Sequence, residues 1–282
     1  MKKKTKERKV KITKVKKNHL SKTELQALRT AYGKPLTSID YLKYTGLPAI
    51  LFGFVSYYLS YVWWIATIFG IIGVFFGLRV LLPKTVKRSY EIESFNQRNR
   101  LLNLMTQQMS DRSKIPKQIL ERVVGRLDGE LKSDFFPITA RIANGATSKE
   151  ISEMFNAIQH KYKEDIIFSQ YLEQVETNFT TGLDNLSSLK DMNGYHNDIR
   201  KQRDLYLGFK GKRMKDNYTL IIMSLSLITA LQFATGNNEM YVNAFAKSSI
   251  GIGISIAYTL IIVFIAHKFQ KIYFDDNIMN AN

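Results

Sequence analysis

The chain has no cysteine and only four histidines among its 282 residues. Without cysteine it can form neither disulfide bonds nor thiolate metal sites. The histidines are scattered along the sequence, which argues against a histidine metal site. We expect each to be solvated or at an interface: His19, His160, His196 and His267. We therefore expect no metal, no cofactor and no small-molecule substrate.

Familiar catalytic motifs are also missing. Residues 208–213 contain glycine and lysine, but their spacing differs from a Walker loop and no predicted strand precedes them. Neither the GxSxG pattern of hydrolases nor the HExxH pattern of zinc enzymes occurs. Glu173 and Glu176 lie close together on a predicted helix, but acidic pairs on exposed helices are usually solvated. We expect a protein without enzymatic activity.

Acidic residues are scarce, since 24 aspartates and glutamates accompany 41 lysines and arginines, for a formal net charge of +17. Much of the excess lies in residues 1–17, which contain no aromatic side chain that could stack on nucleic-acid bases. The segment fits a cytosolic tail that touches anionic lipid headgroups. No apolar segment follows it directly, so we do not expect a secretory signal. Nucleic-acid binding through this tail stays open as an alternative.

One long apolar run organises the rest of the chain. Residues 47–83 carry a single charge, at Arg79, in the sequence LPAILFGFVSYYLSYVWWIATIFGIIGVFFGLRVLLP. One straight helix of this length would be roughly 55 Å long, whereas the hydrocarbon core of a bilayer is about 30 Å thick. Aromatic residues cluster at 57–64, as they do at a membrane–water boundary. We therefore predict a transmembrane hairpin, out along about 48–58 and back along 64–82.

The returning helix carries three glycines, Gly70, Gly73 and Gly77. Gly73 and Gly77 form a GxxxG pair on one face, which lets a second helix approach closely. Glycine pairs at this spacing also occur by chance, so both explanations stay open.

Residues 84–216 are charged and show helical periodicity throughout. Capping boxes at Ser21 with Glu24, and at Thr147 with Glu150, mark helix starts before and within this region. The apolar stripes favour the core of a helical bundle over a cofactor site. The predicted helices cover about 86–111, 115–127, 130–143, 148–161, 164–179 and 183–215, with a possible break at Asn193–Gly194.

Two further apolar runs, about 218–235 and 250–266, are long enough to cross a bilayer and are joined by a short polar loop at 236–249. Basic residues flank the apolar runs. They all fall on one side of the membrane only if the first run crosses it twice. Both termini and the middle region are therefore predicted to be cytoplasmic. The basic juxtamembrane residues before the third span are Lys210, Lys212, Arg213 and Lys215.

The predicted fold class is an all-α integral membrane protein. Four transmembrane helices, two N-terminal and two C-terminal, flank a cytoplasmic bundle of about six helices. The spans contain hydroxyl and amide side chains but no buried charge pair, which argues against a transporter. The predicted domains are a basic tail with a short amphipathic helix (1–40), a transmembrane hairpin (41–83), a cytoplasmic helical domain (84–216), a second transmembrane pair (217–270) and a cytoplasmic tail (271–282).

Four segments carry a resemblance to a known family. They are LLNLMTQQMSDRSKIPKQILERVV at 101–124, IANGATSKEISEMF at 142–155, the stretch 176–189, and the basic helix 199–215. With the order of spans, these resemble the type II secretion system F-domain family, and most of all its tight-adherence (Flp, or Tad) pilus type. The resemblance covers about 95–280. It assigns turn and core positions of the family to Gly145, Glu176, Gly182 and Leu186, although residues 178–182 stand where the family often has a Gly-Gly pair.

The resemblance implies a function. Members of this family are bacterial inner-membrane platform proteins without enzymatic activity of their own. A cytoplasmic hexameric secretion or pilus ATPase acts on them, and they pass its motion to pilin-like subunits. A second platform subunit, or self-association, is expected. The alternatives are a membrane component of a conjugation or DNA-uptake apparatus, a membrane-anchored nucleic-acid-binding protein, and, less favoured, a small channel or transporter.

Overall fold

The computed structural model describes residues 21–111, 113–234 and 238–274. The basic tail 1–20 and residues 275–282, including their share of the predicted domains, lie outside the described residues. The described chain is all-helical, as predicted. Its helices are α1 Lys22–Tyr32, α2 Ser38–Ser60, α3 Trp63–Phe76, α4 Leu82–Met109, α5 Pro116–Gly125, α6 Gly129–Ala143, α7 Ser148–Lys161, α8 Ile166–Thr181, α9 Leu186–Ala234, α10 Asn238–Tyr241 and α11 Ser249–Tyr273.

Within the described residues, three continuous helices are long and apolar enough to cross a membrane: Trp63–Met109, Leu186–Ala234 and Ser249–Tyr273. Helix α2, which contains the first predicted crossing, is not among them. It has 23 residues, but its apolar stretch runs only over 47–59, and a crossing takes about 20 apolar residues.

Helices α2 and α3 form an antiparallel hairpin. Helix α2 ends at Ser60, and Tyr61 adopts a left-handed backbone with φ of 53°, its N–H donating to the carbonyl oxygen of Tyr57. Helix α3 begins at Trp63, so the connection is only two residues long. The chain thus folds back within the aromatic cluster at 57–64.

The predicted GxxxG glycines lie where the two hairpin helices touch. A Cβ on Gly73 would lie 2.6 Å from the Cα of Ala49, and one on Gly77 would overlap the backbone of Tyr44. Gly70 faces the same helix with more room, since a Cβ there would lie 3.7 Å from the carbonyl oxygen of Ala49. Gly73 and Gly77 therefore set the distance between α2 and α3, because any side chain would force the backbones apart.

Two predicted helix boundaries are wrong, one at about 82–86 and one at about 215–218. A continuous helix runs through each of them, Trp63–Met109 through the first and Leu186–Ala234 through the second. Helix α3 passes through a π-helical segment, Gly77–Leu81, straight into α4, where a separate helix from residue 86 was expected. Pro83 does not interrupt it. The proline stands in the first turn after the π segment, where its missing N–H is tolerated.

Helix α9 has 49 residues and no break at Asn193–Gly194. Glycine in a helix interior is unfavourable by about 1 kcal/mol relative to alanine. Buried side chains on either side, Leu189 and His196, hold this stretch against its neighbours. The limits predicted at 83/84 and 216/217 both fall inside continuous helices.

The loop predicted at 236–249 is also largely helical. Helix α10 leads into a π-helical segment, Val242–Ala246. Ala246 is buried, and the ring of Tyr241 packs on that of Tyr61, with centroids 6.4 Å apart. Contact with the hairpin turn therefore holds this segment in a helical conformation.

Helices α4 to α8 and the start of α9 enclose one hydrophobic core. Its largest side chains are fully buried, and Phe135 and Phe155 meet edge to face with ring centroids 6.3 Å apart. The hydroxyl of Tyr171 lies 2.8 Å from that of Thr106, so its one polar atom is satisfied inside the core. Fully burying side chains of this size stabilises a fold by about 1.5–3 kcal/mol each.

Candidate functional site: a buried polar joint between the long helices

A group of polar side chains connects α4, α8 and α9 inside the helical domain. We call it the polar joint, defined as Arg98, Asn99, Asn103, Asp165, His196 and Asn197. The amide nitrogen of Asn99 lies 2.9 Å from Nδ1 of His196 and donates to Oδ1 of Asn197 at 2.9 Å. Asn103 and Asn197 exchange two hydrogen bonds, of 3.0 and 3.1 Å. Asn99 is buried, and Asn103 and Asn197 are partly buried. Side-chain amides that pair in this way favour one alignment of the two helices.

The contacts around Asn99 determine which nitrogen of His196 carries the proton. The side-chain oxygen of Asn99 accepts from Arg200 at 3.1 Å and from Asn103 at 3.1 Å, so its amide nitrogen must face the imidazole. Nδ1 of His196 therefore accepts, and Nε2 carries the proton. Nε2 points at Oδ2 of Asp165, at 3.4 Å.

His196 cannot act as a catalytic base in this arrangement. Both of its ring nitrogens have partners, its side chain is 0% exposed, and its ring stacks on Phe95 with centroids 4.6 Å apart. A general base needs to reach the proton that it removes. The role that the geometry supports is the alignment of helices.

Asp165 lies at the point where all three helices meet. One carboxylate oxygen accepts the backbone N–H of Phe168 at 3.1 Å and caps α8, and the other accepts from Nε of Arg98 at 2.8 Å. Burial alone would raise the pKa of Asp165. The hydrogen bond from His196 and the charge of Arg98 outweigh it and hold that pKa below the usual range. Asp165 therefore stays ionised and linked to both long helices.

A second polar cluster joins α4, α6 and α7. Nζ of Lys161 lies 2.7 Å from a carboxylate oxygen of Glu130 and 2.6 Å from one of Asp134. The hydroxyl of Tyr162 also donates to Asp134, at 2.8 Å. Burial opposes ionisation of Glu130, but hydrogen bonds from Lys161 and Tyr90 hold its pKa below the usual range. Through the hydrogen bond from Tyr90 of α4 to Glu130, this cluster connects α6 and α7 to α4.

The chain is similar in sequence to a protein from Bacillus anthracis. An uncharacterized protein of Bacillus anthracis, pXO2-23, is 37% identical over 266 residues, which cover 94% of this chain and 95% of that protein. The chain belongs to the same family as this Bacillus protein. No family model matches the sequence, and no solved structure matches it.

Two of the positions that the resemblance singles out, Gly145 and Gly182, lie at turns of this chain's helical domain. Gly145 follows α6 with φ of 79°, and Gly182 follows α8 with φ of 72°. Only glycine adopts this left-handed conformation without strain. Glu176 accepts a hydrogen bond from Gln159 at 3.1 Å, which links α8 to α7. Leu186 packs against the hydrophobic core at the start of α9.

The predicted basic juxtamembrane residues do not form one cluster. Lys210 is buried, its Nζ lying 4.5 Å from the ring centroid of Tyr206 and 3.4 Å from the carbonyl oxygen of Tyr273. Lys212, Arg213 and Lys215 are exposed. Lys210 therefore joins α9 to the end of α11, and the other three face outward.

Polar side chains in the apolar segments pair with one another across helices. The hydroxyl of Tyr58 lies 2.6 Å from that of Thr229 and donates to Gln232 at 3.1 Å. The hydroxyl of Tyr258 donates to Ser224 at 2.9 Å. These pairs occupy the groups that a polar pore would need, so they join helices in the described structure.

Sequence reasoning missed the polar joint. His196 was expected to be solvated or at an interface, and this is wrong, because it is fully buried. A signal was available: Asn99 and Asn103 stand four positions apart beside the apolar residues Leu101, Leu102 and Met105. Asn193 and Asn197 have the same spacing on α9. His160 and His267 are exposed, and His19 lies outside the described residues. Among residues 21–111, 113–234 and 238–274, no group of three acidic, histidine or cysteine side chains could hold a metal.

Proposed function

We propose that the chain is an inner-membrane platform of a pilus or secretion machine, which passes the motion of a cytoplasmic ATPase to pilin-like subunits. One observation supports this most directly. The two helices that connect the helical domain to the apolar segments are uninterrupted, with 47 residues in Trp63–Met109 and 49 in Leu186–Ala234. At 1.5 Å per residue, each extends about 70 Å.

The polar joint makes these two helices one mechanical unit. Asn99 is bonded to Asn197, 98 positions away in the sequence, and the neighbouring Arg200 donates to Asn99 across 101 positions. Asp165 adds the third helix through Arg98 and His196. A displacement of the helical domain would therefore move the apolar ends of both helices instead of bending one of them. This is the property that a platform between a motor and a membrane substrate requires.

The proposed topology has four crossings. Helix α2 completes the hairpin although its apolar stretch is short, since a short span is accommodated by local thinning of the bilayer. The turn of the hairpin contacts the segment after α9, through Tyr61 and Tyr241. The opposite end of the apolar segments carries Arg88 and Lys210, next to Tyr273 of α11. Basic residues favour the cytoplasmic side, which would place the helical domain and both termini there.

Cysteine-accessibility labelling would test the topology, because the chain has no native cysteine to remove. Single cysteines at Tyr61 and Asn238 should react with an impermeant maleimide in intact cells. Cysteines at Ser113 and Asn282 should react only after the cells are opened. Labelling of Ser113 in intact cells would place the helical domain outside and contradict the platform proposal.

Crosslinking in native membranes would test the partners. The proposal predicts capture of a hexameric ATPase through the helical domain, and of a second platform subunit or a second copy of the chain. A membrane component of a conjugation or DNA-uptake apparatus would give the same class of partners with a different cargo. Recovery of neither an ATPase nor a platform subunit, at crosslinking yields that capture known membrane complexes, would contradict the proposal.

A further inference from the structure

A groove of about 370 Å³ lies at the basic end of the apolar segments. Four helices contribute side chains to its lining: α2, the α3–α4 helix, α9 and α11. The walls are mostly apolar and include Leu47, Leu81, Ile221, Ile265 and Phe269. Its volume lies within the 300–1,000 Å³ that is typical of small-molecule sites.

The charged side chains that line this groove are Lys43 and Arg88, and no acidic side chain lines it in the described part of the chain. The guanidinium of Arg88 lies 4.3 Å from the ring centroid of Tyr273, which holds it beside the groove. The side-chain oxygen of Gln270, also in the lining, is buried without a hydrogen-bond partner among the described residues. The groove therefore combines positive charge, one unused acceptor and an apolar interior.

We propose that this groove binds one anionic glycerophospholipid. An acyl chain would lie along the wall formed by Ile221, Ile265 and Phe269. The phosphate would lie between Lys43 and Arg88. A headgroup hydroxyl, such as those of phosphatidylglycerol, would donate to Gln270.

The charge and position of the groove select this ligand. Basic pockets between membrane helices, on the side where positive residues collect, recognise anionic headgroups. A zwitterionic lipid would bring its own cation to a site that already holds two. The bound lipid would fill the gap between the hairpin and the pair α9 and α11. The inference needs only that these helices lie in a membrane, and it does not depend on a role in pilus assembly.

Native mass spectrometry of the full chain, exchanged in detergent with defined lipids, tests the charge requirement. Phosphatidylglycerol should be retained at about one molecule per chain, in preference to phosphatidylcholine. The pair Lys43→Gln and Arg88→Gln should weaken retention by about fivefold for each charge removed. The matched control, Lys212→Gln with Lys215→Gln, removes two exposed basic residues outside the groove and should change nothing.

Equal retention of the two lipids, or equal loss in both double variants, would overturn the proposal. Competition by glycerol phosphate without acyl chains would also overturn it, by showing that the site binds free phosphate esters.

Photolabelling of the unaltered chain avoids any variant that fails to fold. Phosphatidylglycerol with a photoreactive acyl chain should label Ile221 and Ile265, and excess unlabelled phosphatidylglycerol should suppress this labelling where phosphatidylcholine does not. The neighbouring Ile222 and Phe264 face outward, so they report ordinary surrounding lipid. Labelling confined to those outward residues would contradict the proposal.

Discussion

The helical domain encloses its large apolar side chains, whereas the apolar segments leave many of theirs exposed. In the domain, Phe135 and Phe155 are completely enclosed by protein. In the apolar segments, Phe264 is 65% exposed and Leu220 is 64% exposed, as are many neighbours. The domain supplies its own apolar environment, whereas the segments leave an exposed apolar surface of the kind that a membrane covers. Two continuous helices, Trp63–Met109 and Leu186–Ala234, pass from the domain into the apolar segments.

The two regimes differ in how they use polar side chains as well. In the domain, the polar joint combines ionised and neutral groups, with Asp165 held between Arg98 and His196. In the apolar segments the cross-helix pairs are neutral, such as Tyr58 with Thr229. Charge is unfavourable in hydrocarbon, so hydroxyl and amide groups take over the role of linking helices there.

The largest expected effect comes from truncating the enclosed core. Phe135→Ala should lower the free energy of unfolding of the domain by about 3–5 kcal/mol, measured by denaturant titration of the full chain in micelles. Phe264→Ala, in an apolar segment, should change it far less, because detergent or lipid replaces the lost contacts.

Phe136 offers the matched control inside the domain, since it is next in sequence and 64% exposed. Phe136→Ala should change the free energy of unfolding by no more than about 0.5 kcal/mol. A similar loss for Phe135→Ala and Phe264→Ala would erase the distinction between the two regions.

The second effect concerns a close contact between the two helices of the hairpin, at Gly73. Gly73→Ala should destabilise the hairpin by about 1–3 kcal/mol, because the new methyl group would meet the backbone of Ala49. The thermal midpoint of the purified chain in detergent measures it. Gly70→Ala is the control, because its methyl group would make only an ordinary contact at 3.7 Å. Equal effects of the two variants would show that the helices are not in close contact at Gly73.

The smallest effect is a pH dependence that belongs to the domain alone. The pKa values of Asp165 and Glu130 are lowered in the folded chain. Their stabilisation is therefore fully present above the unfolded-state pKa values, near pH 4, and is lost as the pH falls below these and through the lower folded-state values. Melting curves between pH 7 and pH 3 should show this loss, and Asp165→Asn should reduce the pH dependence.

The exposed Asp198 provides a control for that measurement, since Asp198→Asn should leave the pH profile unchanged. An identical pH profile for Asp165→Asn and the unaltered chain would mean that the ionisation of Asp165 contributes nothing to stability. A pH-dependent change in the hairpin contacts would contradict the assignment of the effect to the domain.

Much of the local structure could be predicted from residues that are near one another in sequence. The capping boxes at Ser21 and Thr147 begin α1 and α7 as expected. The aromatic cluster marks the turn between α2 and α3. These features depend on a few neighbouring residues, so the composition and spacing of those residues are sufficient to predict them. The boundary predicted at Pro83 and the possible break at Asn193–Gly194 are both absent from the structure. At Gly194, the packing of the buried Leu189 and His196 against other helices overrides the local preference.

The sequence by itself determined that this chain is helical, that it contains apolar segments long enough for a membrane, and where most of its helices begin. Periodicity, caps and apolar length are local properties, and the chain carries them whatever its tertiary arrangement. The tertiary structure alone decided that Asn99 meets His196, and that Lys43 and Arg88 share one groove with Ile265. Those pairings join residues far apart in sequence, and their partners are selected only when the helices pack.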